Sequence, residues 1–257
     1  MLINQSQYEL TIWIWIGIAI CTFFLLMFIR APYGRHERPG WGIRIPARVG
    51  WVVMESPCII VMTILFCAGL NRWASPDLVG IVFYSIWMLH YIHRSWVWPQ
   101  RANISNKKMP ISIALFAVGF NSINAWINAE WIYSINHPYP IEWIYSPQFL
   151  LGIILFFVGM GINIHSDNIL FALRKKGKDG YKIPFDGLFK WISCPNYFGE
   201  IIEWVGWAIA TWSLAGLSFA VWVIANLVPR SRSNHQWYIE NFEKYPKDRK
   251  ILIPKIW

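Results

Sequence analysis

Side chains able to do acid–base chemistry occur inside the most apolar stretches of this 257-residue sequence. Glu55 lies in one long apolar stretch, next to Pro57, and Tyr91 lies in another, next to His90. A carboxylic acid or a phenol can donate a hydrogen bond to an oxygen on which negative charge develops during a reaction. Because an ionisable group is costly in apolar surroundings, Glu55 and Tyr91 are the first candidates for a functional site.

More polar residues occur at the ends of later apolar stretches. They combine amide, carboxylate, imidazole and guanidinium groups, namely Asn163, His165, Asp167, Glu200, Glu203, Asn226 and Arg230. If the stretches cross a membrane, these residues share one level with Glu55 and Tyr91, which predicts a polar layer in one half of the membrane. Hydrogen bonds between helices would account equally well for Glu203, His90 and Asn226.

Metal and dinucleotide motifs are not evident. His90 and His93 are three residues apart, but two histidines make an incomplete metal site, and the 6 histidines of the chain are dispersed. The sequence has neither a GxGxxG motif after a strand nor a Walker loop. We interpret Gly159 and Gly161 as residues that let two helices approach closely rather than as a nucleotide loop.

The composition predicts an all-α polytopic membrane protein. Hydrophobic residues make up 56% of the chain and charged residues only 14%, too few to cover the surface of a soluble domain of this size. About 20 residues of α-helix cross the roughly 30 Å of a bilayer's hydrocarbon. We therefore predict one integral domain, 1–257, with seven transmembrane helices at 9–29, 48–71, 77–98, 109–134, 146–166, 197–213 and 215–236.

The basic residues predict the orientation of these spans. All of the 23 Lys and Arg residues except Arg72 fall in the first, third and fifth connections or in the C-terminal tail. The positive-inside rule then places the N-terminus outside and the C-terminus in the cytoplasm. This placement explains the net charge of +9 without a nucleic-acid partner. The fifth connection and the tail are long enough to bind a nucleotide phosphate or anionic lipid head groups as well.

Four segments carry a resemblance to a known family. GMGINIHSD at 159–167 is followed by ILFALRKKGKDGYKIPFDGLF, CPNYFGEIIEWVGWAIATWSL and FEKYPKDRKILIP. This succession closely resembles the steroid 5α-reductase family of integral membrane enzymes. The match runs from about Glu55 to the C-terminus and is densest over 159–254. It implies that NADPH, bound from the cytoplasm, donates a hydride to the β-carbon of an α,β-unsaturated ketone.

The resemblance also implies roles for individual residues. Glu55 and Tyr91, the latter in HYIHR, match the pair that hydrogen-bonds the 3-keto oxygen of the substrate. Charge from hydride addition at C5 reaches that oxygen as an enolate, which Tyr91 or a protonated Glu55 would stabilise, before C4 takes a proton. The cofactor-binding positions are Arg94, Asn163, Asp167, Arg174, Tyr181, Asn196, Glu200, Arg230, His235 and Tyr238.

The expected function is thus NADPH-dependent reduction of the 4,5 double bond of 3-oxo-Δ4-steroids to 5α-3-oxosteroids, with no metal. Its expected partners are a steroid or similar lipid from the bilayer and membrane lipids, without an obligate protein partner. The expected location is a bacterial inner membrane or the endoplasmic reticulum, with the cofactor site facing the cytoplasm. Two departures from the family pattern concern substrate preference and one cofactor contact. Met54 stands where a Gln is common, and His235 follows Asn234 in a stretch that is usually richer in histidine.

Three alternatives stay open at this point. A related reductase would act on another conjugated lipid, such as a polyprenal, an enoyl thioester or a sterol ring bond. A membrane methyltransferase using S-adenosylmethionine has a similar Pro-x-Tyr-x-Gly element, which Pro195–Gly199 matches. Those enzymes usually carry Arg-His before that proline, whereas this chain has Ser193 and Cys194. A catalytically silent sterol-binding protein is the third, which the presence of both Glu55 and Tyr91 disfavours.

Overall fold

The computed structural model describes residues 4–30, 34–36, 40–72, 77–104, 106–136, 138–176 and 181–257, which are mostly helical. The helices and strands, in chain order, are α1 Gln5–Phe28, β1 Arg44–Pro46, α2 Ala47–Arg72, α3 Leu78–Ile92, α4 Trp98–Arg101, β2 Lys108–Pro110, α5 Ile111–Glu130, α6 Pro147–Lys176, α7 Pro195–Thr211 and α8 Leu214–Asn241. Two π-helical turns, His93–Val97 and Trp131–Ile135, follow α3 and α5.

Five of these helices are long and apolar enough to cross a membrane. They are α1, α2, α5 with its π-helical turn, α6 and α8. The prediction of a helical membrane protein is therefore confirmed. Among the described residues, these criteria support five spans rather than the seven predicted. The other two long helices are shorter, with 15 residues in α3 and 17 in α7. α3 passes into the π-helical turn at His93, and α7 ends where Trp212 takes a left-handed φ of 44°.

The helix ends differ from the sequence prediction. α6 continues to Lys176, ten residues beyond the predicted end of the span at 166, so that prediction of the boundary is wrong. Hydropathy marks where a chain becomes polar, whereas a helix continues as long as its backbone hydrogen bonds are made. The extension places Asp167 and Arg174 on a helix rather than in a loop. α1 likewise begins at Gln5 rather than at 9.

A small antiparallel sheet, absent from the all-α prediction, precedes α2 and α5. Ile45 of β1 lies opposite Met109 of β2. Each strand ends at a proline, Pro46 or Pro110, directly before the helix begins. Because proline disfavours helical backbone in the preceding residue, Ile45 and Met109 are extended and can pair.

The chain divides into two compact units, and the prediction of one domain over 1–257 stays a prediction. The first unit contains α1 up to Ile12 and everything from β1 to Ser146. Its largest fully buried side chains include Trp87, Phe83 and Met62. The Tyr8 hydroxyl donates to the Ile127 carbonyl oxygen at 2.7 Å, which attaches the start of α1 to α5.

The second unit contains the rest of α1 from Trp13 and the chain from α6 onward. Glycines let α6 and α7 pack backbone to backbone. A Cβ at Gly159 of α6 would collide with the Glu203 nitrogen, and one at Gly199 of α7 would lie 2.6 Å from the Asn163 nitrogen. The interpretation of Gly159 as a close-packing residue is confirmed. The same interpretation of Gly161 is wrong, because a Cβ there would meet nothing within 4 Å.

Candidate functional site

A polar cluster lies inside the first unit, around Glu55. It is formed by side chains of α2, α3, the π-helical turn and α5, and we call it the Glu55 cluster: Glu55, Cys58, Tyr91, Arg94 and Asn121. Glu55, Cys58, Tyr91 and Asn121 are buried. Pro57 lies inside α2 and removes the backbone donor for the carbonyl of Val53, so the cluster forms where the helix is already perturbed.

The Glu55 carboxylate has a polar neighbour at each oxygen. Arg94 Nε lies 3.7 Å from Oε1. Asn121 Nδ2 lies 3.5 Å from Oε2, at the long end of the hydrogen-bond range, and donates to the Met54 carbonyl oxygen at 2.6 Å. Side chains from two other segments therefore contact the carboxylate, which the sequence identified only as an ionisable group in an apolar stretch.

Cys58 connects Glu55 with Tyr91. Its thiol is hydrogen-bonded to the Tyr91 side chain and lies within electrostatic range of Glu55. The Trp87 indole donates to the Cys58 carbonyl at 3.0 Å, and the Trp87 and Tyr91 rings pack with centroids 4.8 Å apart. The structure thus brings the two predicted substrate-binding residues into one cluster. It adds Cys58, which the sequence analysis did not identify.

Arg94 was assigned to the cofactor by resemblance, and the structure places it in the Glu55 cluster. Its guanidinium carbon lies over Trp51, 4.8 Å from the ring centroid, and 5.4 Å from that of Trp98. Trp51 and Trp98 stack on each other with centroids 4.3 Å apart. The Trp51 indole nitrogen also donates to the Arg94 carbonyl oxygen at 3.1 Å. These contacts fix the side chain that faces Glu55.

A second polar group lies in the other unit, where α6 meets α7. Asn163 Nδ2 donates to the Asn196 carbonyl oxygen at 3.0 Å and to Glu200 Oε2 at 3.3 Å. Asn196 Nδ2 donates to Asp167 Oδ1 at 3.1 Å. We call Asn163, Asp167, Asn196 and Glu200 the amide network. All four were predicted from the resemblance, and the close packing at Gly159 and Gly199 brings them together.

Arg230 lies on α8 in the same unit. Its Nε donates to the Tyr197 hydroxyl at 2.8 Å, and Asn234 Nδ2 approaches that oxygen at 3.4 Å. Arg230 and Asn234 are four residues apart and therefore share one face of α8. Tyr197 was not among the predicted residues. It follows Asn196 of the amide network directly in the chain, at the start of α7.

An aromatic group contains three more predicted residues. The Arg174 guanidinium carbon lies 5.9 Å from the Tyr181 ring centroid, and Tyr181 packs edge-on against Trp237 at 5.0 Å. Trp237 contacts Tyr238, whose ring stacks on Tyr245 with centroids 5.2 Å apart and planes 8° apart. Arg174, Tyr181 and Tyr238 therefore lie along one row of rings.

His235 belongs to a different hydrogen-bonded group. Its Nδ1 lies 2.6 Å from Ser193 Oγ, which also lies 2.6 Å from the Tyr245 hydroxyl and 3.1 Å from the Lys250 carbonyl oxygen. Burial raises the pKa of Tyr245, while its hydrogen bond with Ser193 and the charge of Arg249 act in the opposite direction. The group fastens the C-terminal segment to α8, so the structure does not place His235 with Arg230 and Tyr197.

His90 and His93, which the sequence analysis interpreted as an incomplete metal site, both lie in the part of the chain that the structure describes. Within that part, no three His, Cys, Asp or Glu side chains lie close enough together to hold a metal ion. His90 is buried and packs against Tyr91, with ring centroids 4.9 Å apart. Its ring therefore forms part of the packing beside the Glu55 cluster.

The chain is similar to known proteins over nearly its whole length. A family model described as 3-oxo-5-alpha-steroid 4-dehydrogenase matches residues 107–257. A steroid 5-alpha-reductase of Gossypium hirsutum is 42% identical over 244 residues, which are 93% of each chain. One of Arabidopsis thaliana is 41% identical over 242 residues, 92% of this chain and 91% of that one. A 3-oxo-5-alpha-steroid 4-dehydrogenase 1 of Bos taurus is 40% identical over 247 residues, 93% of this chain and 92% of that one.

Proposed function

The chain belongs to the 3-oxo-5-alpha-steroid 4-dehydrogenase family, and from this premise we propose that it reduces the 4,5 double bond of 3-oxo-Δ4-steroids with NADPH. The product would be the 5α-3-oxosteroid. The observation that carries the proposal is the buried Glu55 cluster, in which a carboxyl group on α2 and a phenol on α3 both lie near Cys58.

Glu55 and Tyr91 bind the substrate's 3-keto oxygen in this proposal. When bound, NADPH would supply a hydride for C5. Hydride addition there would shift the electrons of the C4–C5 double bond, and negative charge would reach the C3 oxygen as an enolate. The Tyr91 hydroxyl, and Glu55 when protonated, donate hydrogen bonds to that oxygen. Because the oxygen is more negative in the transition state than in the ketone, these bonds lower the barrier. A proton from water at C4 then restores the ketone.

The second unit supplies the residues for NADPH, and their chemistry fits the cofactor. Arg174 and Arg230 provide guanidinium groups suited to the pyrophosphate and the 2′-phosphate. The amide network offers amide groups for a carboxamide and carboxylates for ribose hydroxyls. Tyr181 and Tyr238 offer ring faces beside Arg174. Arg94 and His235 complete the proposed cofactor set.

The proposed topology has seven spans, the N-terminus outside and the cofactor residues on the cytoplasmic side. It adds α3 and α7 to the five helices that qualify by length and composition. The distribution of the basic residues supports the orientation. A steroid would reach the Glu55 cluster from the bilayer of a bacterial inner membrane or the endoplasmic reticulum, which suits a substrate that is itself apolar.

The family match bears differently on the alternative functions that the sequence left open. Membership in this family argues against the methyltransferase interpretation, because the matched residues 107–257 include the Pro195–Gly199 element on which that interpretation depended. Another conjugated substrate, such as a polyprenal or an enoyl thioester, stays a second candidate. Met54 beside Glu55 is the observation that favours it, since this position differs from the usual residue of the family.

The test uses the purified, detergent-solubilised protein with NADPH. Testosterone and progesterone are compared with a polyprenal and an enoyl thioester, while NADPH consumption is followed by absorbance and products by mass spectrometry. We expect a steroid product heavier by two hydrogens, formed in step with NADPH consumption. Turnover of only the polyprenal or the thioester would overturn the steroid assignment, and no NADPH binding would overturn the cofactor assignment.

A further inference from the structure

α5 carries buried asparagines whose surroundings differ. Asn121 and Asn124 are both buried and lie one turn apart on this helix. Asn121 contacts α2 through its side-chain amide, as described above. Asn124 is fully buried, and neither its Oδ1 nor its Nδ2 has a hydrogen-bond partner among the described residues. The contacts of Asn121 are therefore specific to its position and are not a general property of the helix face.

The orientation of the Asn121 amide follows from its neighbours. The Met54 carbonyl oxygen can only accept a hydrogen bond, and the Glu55 carboxylate accepts when ionised. The amide oxygen of Asn121 would be repelled by the Met54 oxygen whatever the protonation state of Glu55, so the NH₂ group faces this side. The 2.6 Å distance to the Met54 oxygen and the 3.5 Å distance to Glu55 Oε2 agree with one NH₂ group directed at both acceptors.

The backbone of Asn121 makes a further contact with α2. The Cys58 thiol lies 3.7 Å from the Asn121 carbonyl oxygen and donates to it. Asn121 thus contacts α2 at two points that flank Glu55, namely Met54 on one side and Cys58 on the other. Because Cys58 also contacts Tyr91, a shift of Asn121 would change the position of both groups proposed to bind the 3-keto oxygen.

We propose that Asn121 is a positioning residue for the reduction, which orients the Glu55 carboxyl group through its side-chain amide. This inference rests on the proposed catalytic role of Glu55. Arg94 faces Oε1 and Asn121 faces Oε2, so the carboxyl group is held between one charged and one neutral donor. Removing the neutral donor takes away the contact at Oε2 while the Arg94 contact at Oε1 stays, so the carboxyl group rotates toward Arg94 and away from the substrate oxygen.

Leucine at position 121 tests the role, since it is close to asparagine in size and has no donor. We expect Asn121→Leu to lower kcat by about 10-fold to 100-fold, because a small misplacement of a catalytic group has an effect of this order. KM for the steroid should change less than kcat, and the Kd for NADPH should equal that of the wild type. Asn121→Gln keeps the amide and should recover a substantial part of kcat.

The matched control is Asn124→Leu, the same substitution one turn later on the same helix. It should keep the wild-type kcat, since the Asn124 side chain makes no hydrogen bond among the described residues. Equal losses of kcat in Asn124→Leu and Asn121→Leu would mean that any leucine on this face disturbs packing, and would overturn the proposal. Thermal stability and NADPH binding of each variant identify a protein that has failed to fold.

A double-mutant cycle separates a positioning role from a structural one. In the Glu55→Gln background the carboxyl group is replaced by a weaker donor whose orientation matters less, so adding Asn121→Leu should lower kcat by a smaller factor than it does in the wild type. Additive losses would contradict the proposal, as would a wild-type kcat in Asn121→Leu alone. A wild type inactive on every steroid would instead contradict the proposed function, an outcome visible before any variant is made.

Discussion

The Glu55 cluster and the amide network differ in how their buried polar contacts are formed. Glu55 depends on groups from distant segments of the chain, with Arg94 after α3 and Asn121 on α5. The amide network joins α6 to α7, and it forms because glycines bring two helix backbones together. The first region is therefore sensitive to side-chain chemistry, and the second to the distance between two helices.

The largest effect is expected from Glu55→Gln. The amide is a much weaker acid than a carboxyl group and cannot pair with the Arg94 guanidinium. Complete loss of one donor to a developing oxyanion lowers kcat by about 10²-fold to 10³-fold. Since the substitution leaves a weaker N–H donor in place of the acidic O–H, we expect a loss of about 100-fold. Single-turnover hydride transfer and NADPH binding are measured on the same protein. A wild-type rate would show that Glu55 has no catalytic role, and weaker NADPH binding would show that the two regions are not functionally distinct.

Gly159→Ala tests the importance of helix distance in the second region. The added Cβ would collide with the Glu203 backbone nitrogen, so α6 must move away from α7. We expect a loss of about 1–3 kcal/mol in stability, typical of an overpacked contact, with weaker NADPH binding. Gly161→Ala is the control, because a Cβ there meets nothing within 4 Å. Thermal denaturation in detergent compares the two, and equal stability would contradict the close-packing account.

Arg174→Ala should act on the cofactor alone. A hydrogen bond to a charged group contributes about 1.5–3 kcal/mol, so we expect the Kd for NADPH to rise by roughly 10-fold or more. The order of preference among steroids should be that of the wild type, because Arg174 lies beside Tyr181 and outside the Glu55 cluster. Fluorescence titration with NADPH and competition between two steroids provide both values. A changed steroid preference would place Arg174 at the substrate instead.

The smallest effect is expected from Ser193→Ala. Ser193 Oγ connects His235, Tyr245 and the Lys250 carbonyl oxygen, so its loss should loosen the C-terminal segment at a cost of about 1 kcal/mol. Limited proteolysis should then cut this segment faster than in the wild type. Ser233→Ala is the control, because Ser233 Oγ donates to the Pro229 carbonyl oxygen of its own helix. Equal cleavage of the two variants would show that Ser193 does not fasten the segment.

The sequence identified several residues of both regions, but it did not reveal which side chains contact one another. Glu55 and Tyr91 stood out because an ionisable or phenolic group is unusual in an apolar stretch, and Gly159 because small residues permit close helix packing. Cys58 and Asn121 gave no such signal. A buried cysteine is usually an apolar filler, and an asparagine's partner across a helix pair depends on a packing angle that spacing along the chain does not reveal.

Helix boundaries show the same limitation. The span ending at 166 follows the hydropathy, but α6 continues to Lys176 through polar residues that its backbone hydrogen bonds accommodate. The π-helical turn after α3 was not predicted for a related reason. The π-helical turn at His93–Val97 continues the helix with a different hydrogen-bond pattern, which no residue type in the segment specifies.

The most direct test of the account follows the hydride into the product. Wild-type protein is given testosterone with NADPH deuterated at one or the other hydrogen of nicotinamide C4, and the product is analysed by NMR and mass spectrometry. The account predicts one deuterium at C5 of the 5α-steroid, from one of the two labelled cofactors only, while C4 takes its hydrogen from water. Deuterium at C4, or a reduced steroid without label from either cofactor, would contradict it.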